Sequence, residues 1–256
     1  MGPCYAPDAK TLARVSGIGT LQVFGLPVSF LSTMHQIAAM FVLCDQQPSE
    51  SASSKRQVAL IMEGFFVPKK QVIVITDGDH TAYRAVAEAC KGLGLDPVDA
   101  TAGNPTPIQG KALLQAIYHA SGNPVVAMVD DRGSAKKGRG ERDLATILDA
   151  EELEVLGVIA VAANTPGVKG VVPDLSIDHD AERVSQAVDK QGSASGHVLR
   201  GDTVDVLRNY PDVTVIGLGD PGKMGGNDAV GQGAPVTAQA LKTILRNRSG
   251  DPPKRD

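Results

Sequence analysis

The chain has 256 residues, 42% of them hydrophobic and 21% charged, and a net charge of −4. That length allows one large domain or two small ones, and the acid excess gives no clustered basic face of the kind nucleic acid requires. Three cysteines without paired spacing argue against a disulfide framework or a zinc site and fit a reducing, cytoplasmic-type compartment.

Composition breaks near residue 66. All five phenylalanines lie at or before Phe66, and the charges up to that point cancel, so the rest of the chain carries the whole net charge. Ile18 to Cys44 is the only candidate membrane or export segment, and it is interrupted by Gln22, Pro27, Thr33, His35 and Gln36. A spanning helix needs about 20 mostly apolar residues, and a signal peptide needs a basic start and a clean apolar core. Neither fits. Gln46 to Arg56 is polar, low in complexity and expected to be disordered. Met62-Glu63-Gly64 can be encoded by a purine-rich GGAGG just upstream of Val67, for which GTG is a permitted start. Residues 1–66 are therefore expected to be a poorly structured extension, with a start-site artefact as its origin. Peptides from residues 11–55 in the native protein would refute a start at Val67.

From Val67 to about residue 247 the pattern is that of an α/β domain. Val72 to Thr76 is a run of β-formers ending in Asp77-Gly78-Asp79. Such a run reads as a strand buried on both faces. A helix follows from His80 to Gly92, with Tyr83, Val86, Ala87 and Cys90 on one side. Leu95 to Ala100 reads as a short second strand. Ile108 to His119 is helical. Val125 to Val129 repeats the first unit and ends in Asp130-Asp131. A basic, glycine-rich loop comes next, up to a helix from Glu141 to about Ala150. Val155 to Ala163 is the most apolar run, hence a central strand. Val171 to Gly192 suggests a hairpin or bulky insertion. A helix is expected from Gly201 to Tyr210, with Asp202 as its N-cap. Val213 to Leu218 is a strand ending at Gly219-Asp220, and Val236 to Arg246 a closing helix. Residues 248–256 read as a disordered tail. The alternation predicts a Rossmann-like or flavodoxin-like three-layer sandwich with about five parallel strands and a small hairpin insertion after the fourth.

Three strands end in aspartate. In open α/β sheets the carboxyl edge is where ligands bind. Asp77, Asp79, Asp130, Asp131 and Asp220 are the candidate edge, and hard oxygen ligands suit Mg²⁺ or Ca²⁺. Read singly, each aspartate caps a helix or shapes a turn. Lys136, Lys137 and Arg139 in the basic loop, and Lys223 in the last glycine-rich loop, are candidates for an anion or a docking partner. The basic loop, from Asp131 to Arg142, is either a lid or docking loop or a plain connector. No Walker motif and no complete G-x-G-x-x-G occurs, so no nucleotide cofactor is indicated. Nor is there a Ser–His–Asp or Cys–His arrangement.

Val74-Ile75-Thr76-Asp77-Gly78-Asp79, Ala102-Gly103-Asn104-Pro105-Thr106, Asp130-Asp131-Arg132-Gly133, Ser176-Ile177-Asp178, Val188-Asp189-Lys190, Gly201-Asp202-Thr203-Val204 and Gly219-Asp220-Pro221-Gly222-Lys223-Met224 occur in this order. The ordered set, over Lys69 to Leu245, resembles the soluble stage V sporulation protein AE family of endospore-forming bacteria. It departs in having Arg132 where Lys is expected and Pro221 where Ile is expected. The resemblance implies a part in the spore's dipicolinic acid system, which takes calcium dipicolinate into the developing spore and releases it on germination. It also implies work at the spore inner membrane beside membrane-embedded partner proteins. It supplies no catalytic residues. The first expectation is thus a soluble, non-enzymatic accessory protein without a membrane span in residues 67–256. The rival is a Mg²⁺-dependent phosphohydrolase or nucleotide-processing enzyme using the same aspartates. An enzyme would need Asp77 or Asp79 to meet Asp130 or Asp131 around one cavity.

Overall fold

The computed structural model describes residues 68–133 and 138–248. The expectations for residues 1–66 and for the tail beyond Arg248, and the placement of Lys136 and Lys137, lie outside the described residues.

Seven strands form one sheet: β1 (Lys70–Ile75), β2 (Asp96–Pro97), β3 (Val125–Met128), β4 (Leu153–Val161), β5 (Leu175–Ile177), β6 (Arg183–Val184) and β7 (Val215–Leu218). Their order is β2-β3-β1-β4-β7-β5-β6. Every pair is parallel except β5 with β6. Among the described residues four α-helices cover the sheet: α1 (His80–Leu93), α2 (Gly110–His119), α3 (Arg139–Leu148) and α4 (Pro235–Arg248).

Side chains alternate along a strand, so an apolar run buries both faces. Val72, Val74, Val125, Ala127, Val158 and Ala160 pack with Leu113 and Ile117 of α2 and Leu144 and Ile147 of α3. Ile73, Ile75, Val126, Met128, Ile159 and Ile216 pack with Ala85 and Val86 of α1 and Val236, Leu241 and Ile244 of α4. Each Val, Leu, Ile or Met among them contributes about 1.5–3 kcal/mol when fully buried, and these two layers hold the sheet between them. The β1–β4 register shifts, pairing Val72 with Val155 but Ile73 with Gly157. Leu156 is the extra residue of a β-bulge. A Cβ on Gly157 would lie 3.1 Å from Ile244 Cδ1, so the bulge brings a bare backbone under α4.

The α/β sandwich agrees with the sequence expectation, with three differences. The sheet has seven strands rather than five, because the segment after β4 is no appendage: β5 pairs with β7 and β6 extends the edge. The helix expected from Gly201 to Tyr210 is only a 3₁₀ turn over Asp205–Asn209. Asp205 turns its carboxylate outward to the backbone N–H groups of Lys169 (3.0 Å) and Gly170, and Asp202 does not cap the turn. The strand order also departs from both doubly wound patterns, 3-2-1-4-5-6 and 2-1-3-4-5, since β3 lies beside β1 and β2 lies outside it. What survives is the reversal. From β1 the chain goes to the edge on one side with β2, returns beside β1 with β3, then crosses to β4 on the other side. The crevice at that reversal is where the carboxyl edge opens.

Candidate functional site

Asp77, Asp130 and Asp220 follow the carboxyl ends of β1, β3 and β7 and share one cleft of about 300 Å³. Asp79, Asn104, Thr76, Asp202, Lys190 and Lys223 line it too, and Val161 to Thr165 after β4 form its middle. β3 and β1 are neighbours, and β7 lies one strand beyond. The floor is fixed by Thr76, whose Oγ1 accepts the Val161 N–H at 2.9 Å where the β1–β4 ladder ends.

Each aspartate has a distinct local task. Asp79 is the N-cap of α1: its Oδ1 accepts from Thr81 N (2.8 Å) and Ala82 N (2.9 Å). Asp130 is buried and spends both oxygens on backbone, taking Gly78 N at 3.2 Å and Arg132 N at 2.6 Å. Asp131 reaches forward to the start of α3, accepting from Gly140 N (2.6 Å) and Glu141 N (3.1 Å). It is a helix cap at long range and does not line the cleft. Asp77 Oδ1 accepts from Asp79 N at 3.1 Å. Its second oxygen has no donor among the described residues and faces the cleft.

Lys223 bridges the two sides. Its Nζ lies 2.7 Å from Asp79 Oδ2 and 3.0 Å from Asp220 Oδ1. Lys190 Nζ approaches the other Asp220 oxygen at 3.3 Å. Asp77, Asp79 and Asp220 each offer an oxygen within 4.8 Å of the others. The turn that presents Lys223 is tightly specified. Gly222 has φ 78° and Met224, a non-glycine, has φ 46°. Asp228, fully buried, anchors this turn to α4. Its carboxylate accepts from Gly222 N (2.7 Å), Val236 N (2.9 Å), Thr237 N (3.0 Å) and Thr237 Oγ1 (2.6 Å).

Crowding of carboxylates shifts their protonation. Burial, reinforced by the charges of Asp79, Asp130 and Asp220, pushes Asp77 up to about 7 against one opposing N–H bond. Burial likewise raises Asp130, and raises Asp131 to about 6, despite the N–H groups each accepts. Asp79 goes the other way: burial would raise it, but Lys223 and the helix N–H groups outweigh that and hold it below the ordinary range. Burial would lower Lys223, and its two carboxylates raise it instead, so it is charged at any physiological pH.

Of the sequence-derived candidates, Asp77, Asp79, Asp130, Asp220 and Lys223 come together, and Asp131 stands apart as a cap. Arg139 opens α3 and donates to Pro107 O at 3.2 Å. Sequence reading did not place Lys190 or Asp228 at the site and gave Asp202 as a helix N-cap. Lys190 comes from the excursion between β6 and β7. Asp202 lines the cleft and accepts the Gly133 N–H.

The family model described as Stage V sporulation protein AE1 matches residues 71–249. That range contains all the cleft residues above. No curated protein and no solved structure matches the chain.

Proposed function

The chain belongs to the stage V sporulation protein AE1 family, and on that premise we propose that it is a soluble accessory protein of the sporulation and germination machinery, serving calcium-dipicolinate uptake or release. It would act in the developing spore, at the inner membrane, beside membrane-embedded partner proteins. Among the described residues no helix is long and apolar enough to cross a membrane, which is compatible with peripheral placement. The observation that carries the reading is the mixed polarity of the cleft. Its open carboxylate at Asp77 suits a hard cation, while Lys190 and Lys223 suit the carboxylates of a chelating dianion. Lys136 and Lys137, which precede α3 in the chain, and Arg139 at its first position would serve as a docking element.

Calorimetric titration of the full chain tests this. Calcium dipicolinate is expected to bind more tightly than calcium or dipicolinate given alone, and Asp77→Asn is expected to weaken it. No binding of the chelate by the folded protein would overturn the reading.

A second reading is favoured by one observation: Asp77, Asp79 and Asp130 line one cavity, as a Mg²⁺-dependent phosphohydrolase would require. Against it, the N-termini of α1 and α3, the usual phosphate seats of such folds, are already occupied by Asp79 and Asp131. Mg²⁺-dependent release of phosphate from a generic aryl phosphate or nucleotide, lost in Asp77→Asn, would favour the enzyme.

A further inference from the structure

The N–H groups that open three helices are closed by the chain's own carboxylates: Asp79 at α1, Asp131 at α3 and Asp228 at α4. The cleft thus has no free helix terminus for an anion. It has two ammonium groups facing five carboxylates, those of Asp77, Asp79, Asp130, Asp202 and Asp220. Asp130 and Asp202 are engaged by backbone N–H groups. That leaves Asp77, Asp79 and Asp220 as the oxygens that meet in the open space. Two of the three already hold a cation, the Lys223 ammonium. The third, Asp77, is recessed and has an oxygen that no donor among the described residues reaches.

A lysine makes an incomplete counter-charge here. It brings one positive charge and a reach fixed by its stem, and it leaves the Asp77 oxygen uncompensated. A divalent cation is smaller, carries twice the charge and takes oxygen ligands from several directions at once. Lys223 is also free to leave. Its side chain is 38% exposed, and it is unbranched, so it can swing outward while Gly222 and Met224 keep the backbone in place. Lys190 would remain beside Asp220.

We infer that the Lys223 ammonium and a divalent cation are alternative occupants of the Asp77–Asp79–Asp220 group, so that cation entry requires Lys223 to swing out. This extends the cation half of the proposed function and depends on it. Lys223 is then a built-in competitor that sets a threshold for the cation.

The test is titration of the full-length protein with Ca²⁺ alone, as wild type, Lys223→Met and Lys223→Gln, with folding verified by circular dichroism. Removing the competitor is expected to tighten Ca²⁺ binding about tenfold or more, equivalent to about 1.4 kcal/mol. Adding Asp77→Asn to the Lys223→Met protein is expected to reverse that gain. In the wild type, the Lys223 Nζ resonance, slowed in exchange by its two carboxylates, is expected to be lost on adding Ca²⁺. This arm decides the matter if both variants fail to fold. If wild type binds Ca²⁺ but the folded variants bind no tighter, or the resonance persists, the exchange is wrong while the cation reading stands. If no form binds Ca²⁺, both fall together.

Discussion

Replacing Asp77 by Asn changes stability with a definite sign and pH range. Asp77 is raised from 3.8 to about 7 in the folded chain, chiefly by burial. Between those values the folded chain holds a proton that the unfolded chain has released. Stability therefore falls as pH rises through this window, and the whole penalty is present above it. A shift of about three units at 1.36 kcal/mol each sets a ceiling of about 4 kcal/mol. Asp77 opens onto a water-accessible cleft, and screening there brings the expected figure to about 1–3 kcal/mol. Asn cannot ionise, and its carbonyl oxygen still accepts from Asp79 N. Asp77→Asn is therefore expected to be more stable than wild type by that amount at pH 8. The gain should shrink through pH 6 and disappear by about pH 4. Urea denaturation across this range, with a chelator present, reads the difference directly. A variant that is less stable at pH 8, or a difference independent of pH, would refute the assignment of an ionised, penalised carboxylate at this position.

Asp228→Ala strands four donors in a fully buried place and is expected to cost about 3–5 kcal/mol by denaturant unfolding; a loss under 1 kcal/mol would mean that the Lys223 turn is held by something else. Thr76→Val leaves the Val161 N–H without its acceptor, for an expected loss of about 1–3 kcal/mol, whereas Thr76→Ser should stay close to wild type. Asp131→Ala removes the long-range cap of α3 and should cost about 1 kcal/mol, with amide exchange speeding first at Gly140 and Glu141. Gly78→Ala would place a Cβ 2.3 Å from Gly103 O, so it is expected to lower the melting temperature and displace the 103–107 loop, as a crystal structure of the variant would show.

Much of this was legible because burial on both faces and a polar stop are local signals. The runs Val72–Ile75 and Val125–Met128, each followed by aspartate, gave strands and their carboxyl ends together. One edge then followed from parallel alternation. What stayed hidden depended on distance. Asp131 looks like part of the acid edge, but its acceptor work is done for Gly140, nine residues on. Asp228 caps α4 from eight residues before Val236, too far for any capping pattern to reveal. Lys190 enters through an excursion whose two short strands carry almost no periodicity. Lys223 was visible as a charge in a glycine-rich loop. Only the fold shows that carboxylates, rather than an incoming anion, surround it. The missing helix at Gly201–Tyr210 had a plausible N-cap and a proline stop, yet its carboxylates serve other segments.

The anchoring of the Lys223 turn by Asp228 also sets an order of assembly. β1, α1, β3 and β4 are complete by Val161, and with them come Asp77, Asp79 and Asp130. Lys223 cannot be held in place until Val236 and Thr237 have been made and α4 has docked, because the carboxylate that fixes its turn also needs their N–H groups. During synthesis these three carboxylates therefore precede the anchoring of Lys223 by roughly seventy-five residues, about 4–15 s at ordinary elongation rates. Over that interval a nascent chain presents carboxylates to whatever cations surround the ribosome, and the last helix to form is the one that brings the lysine in.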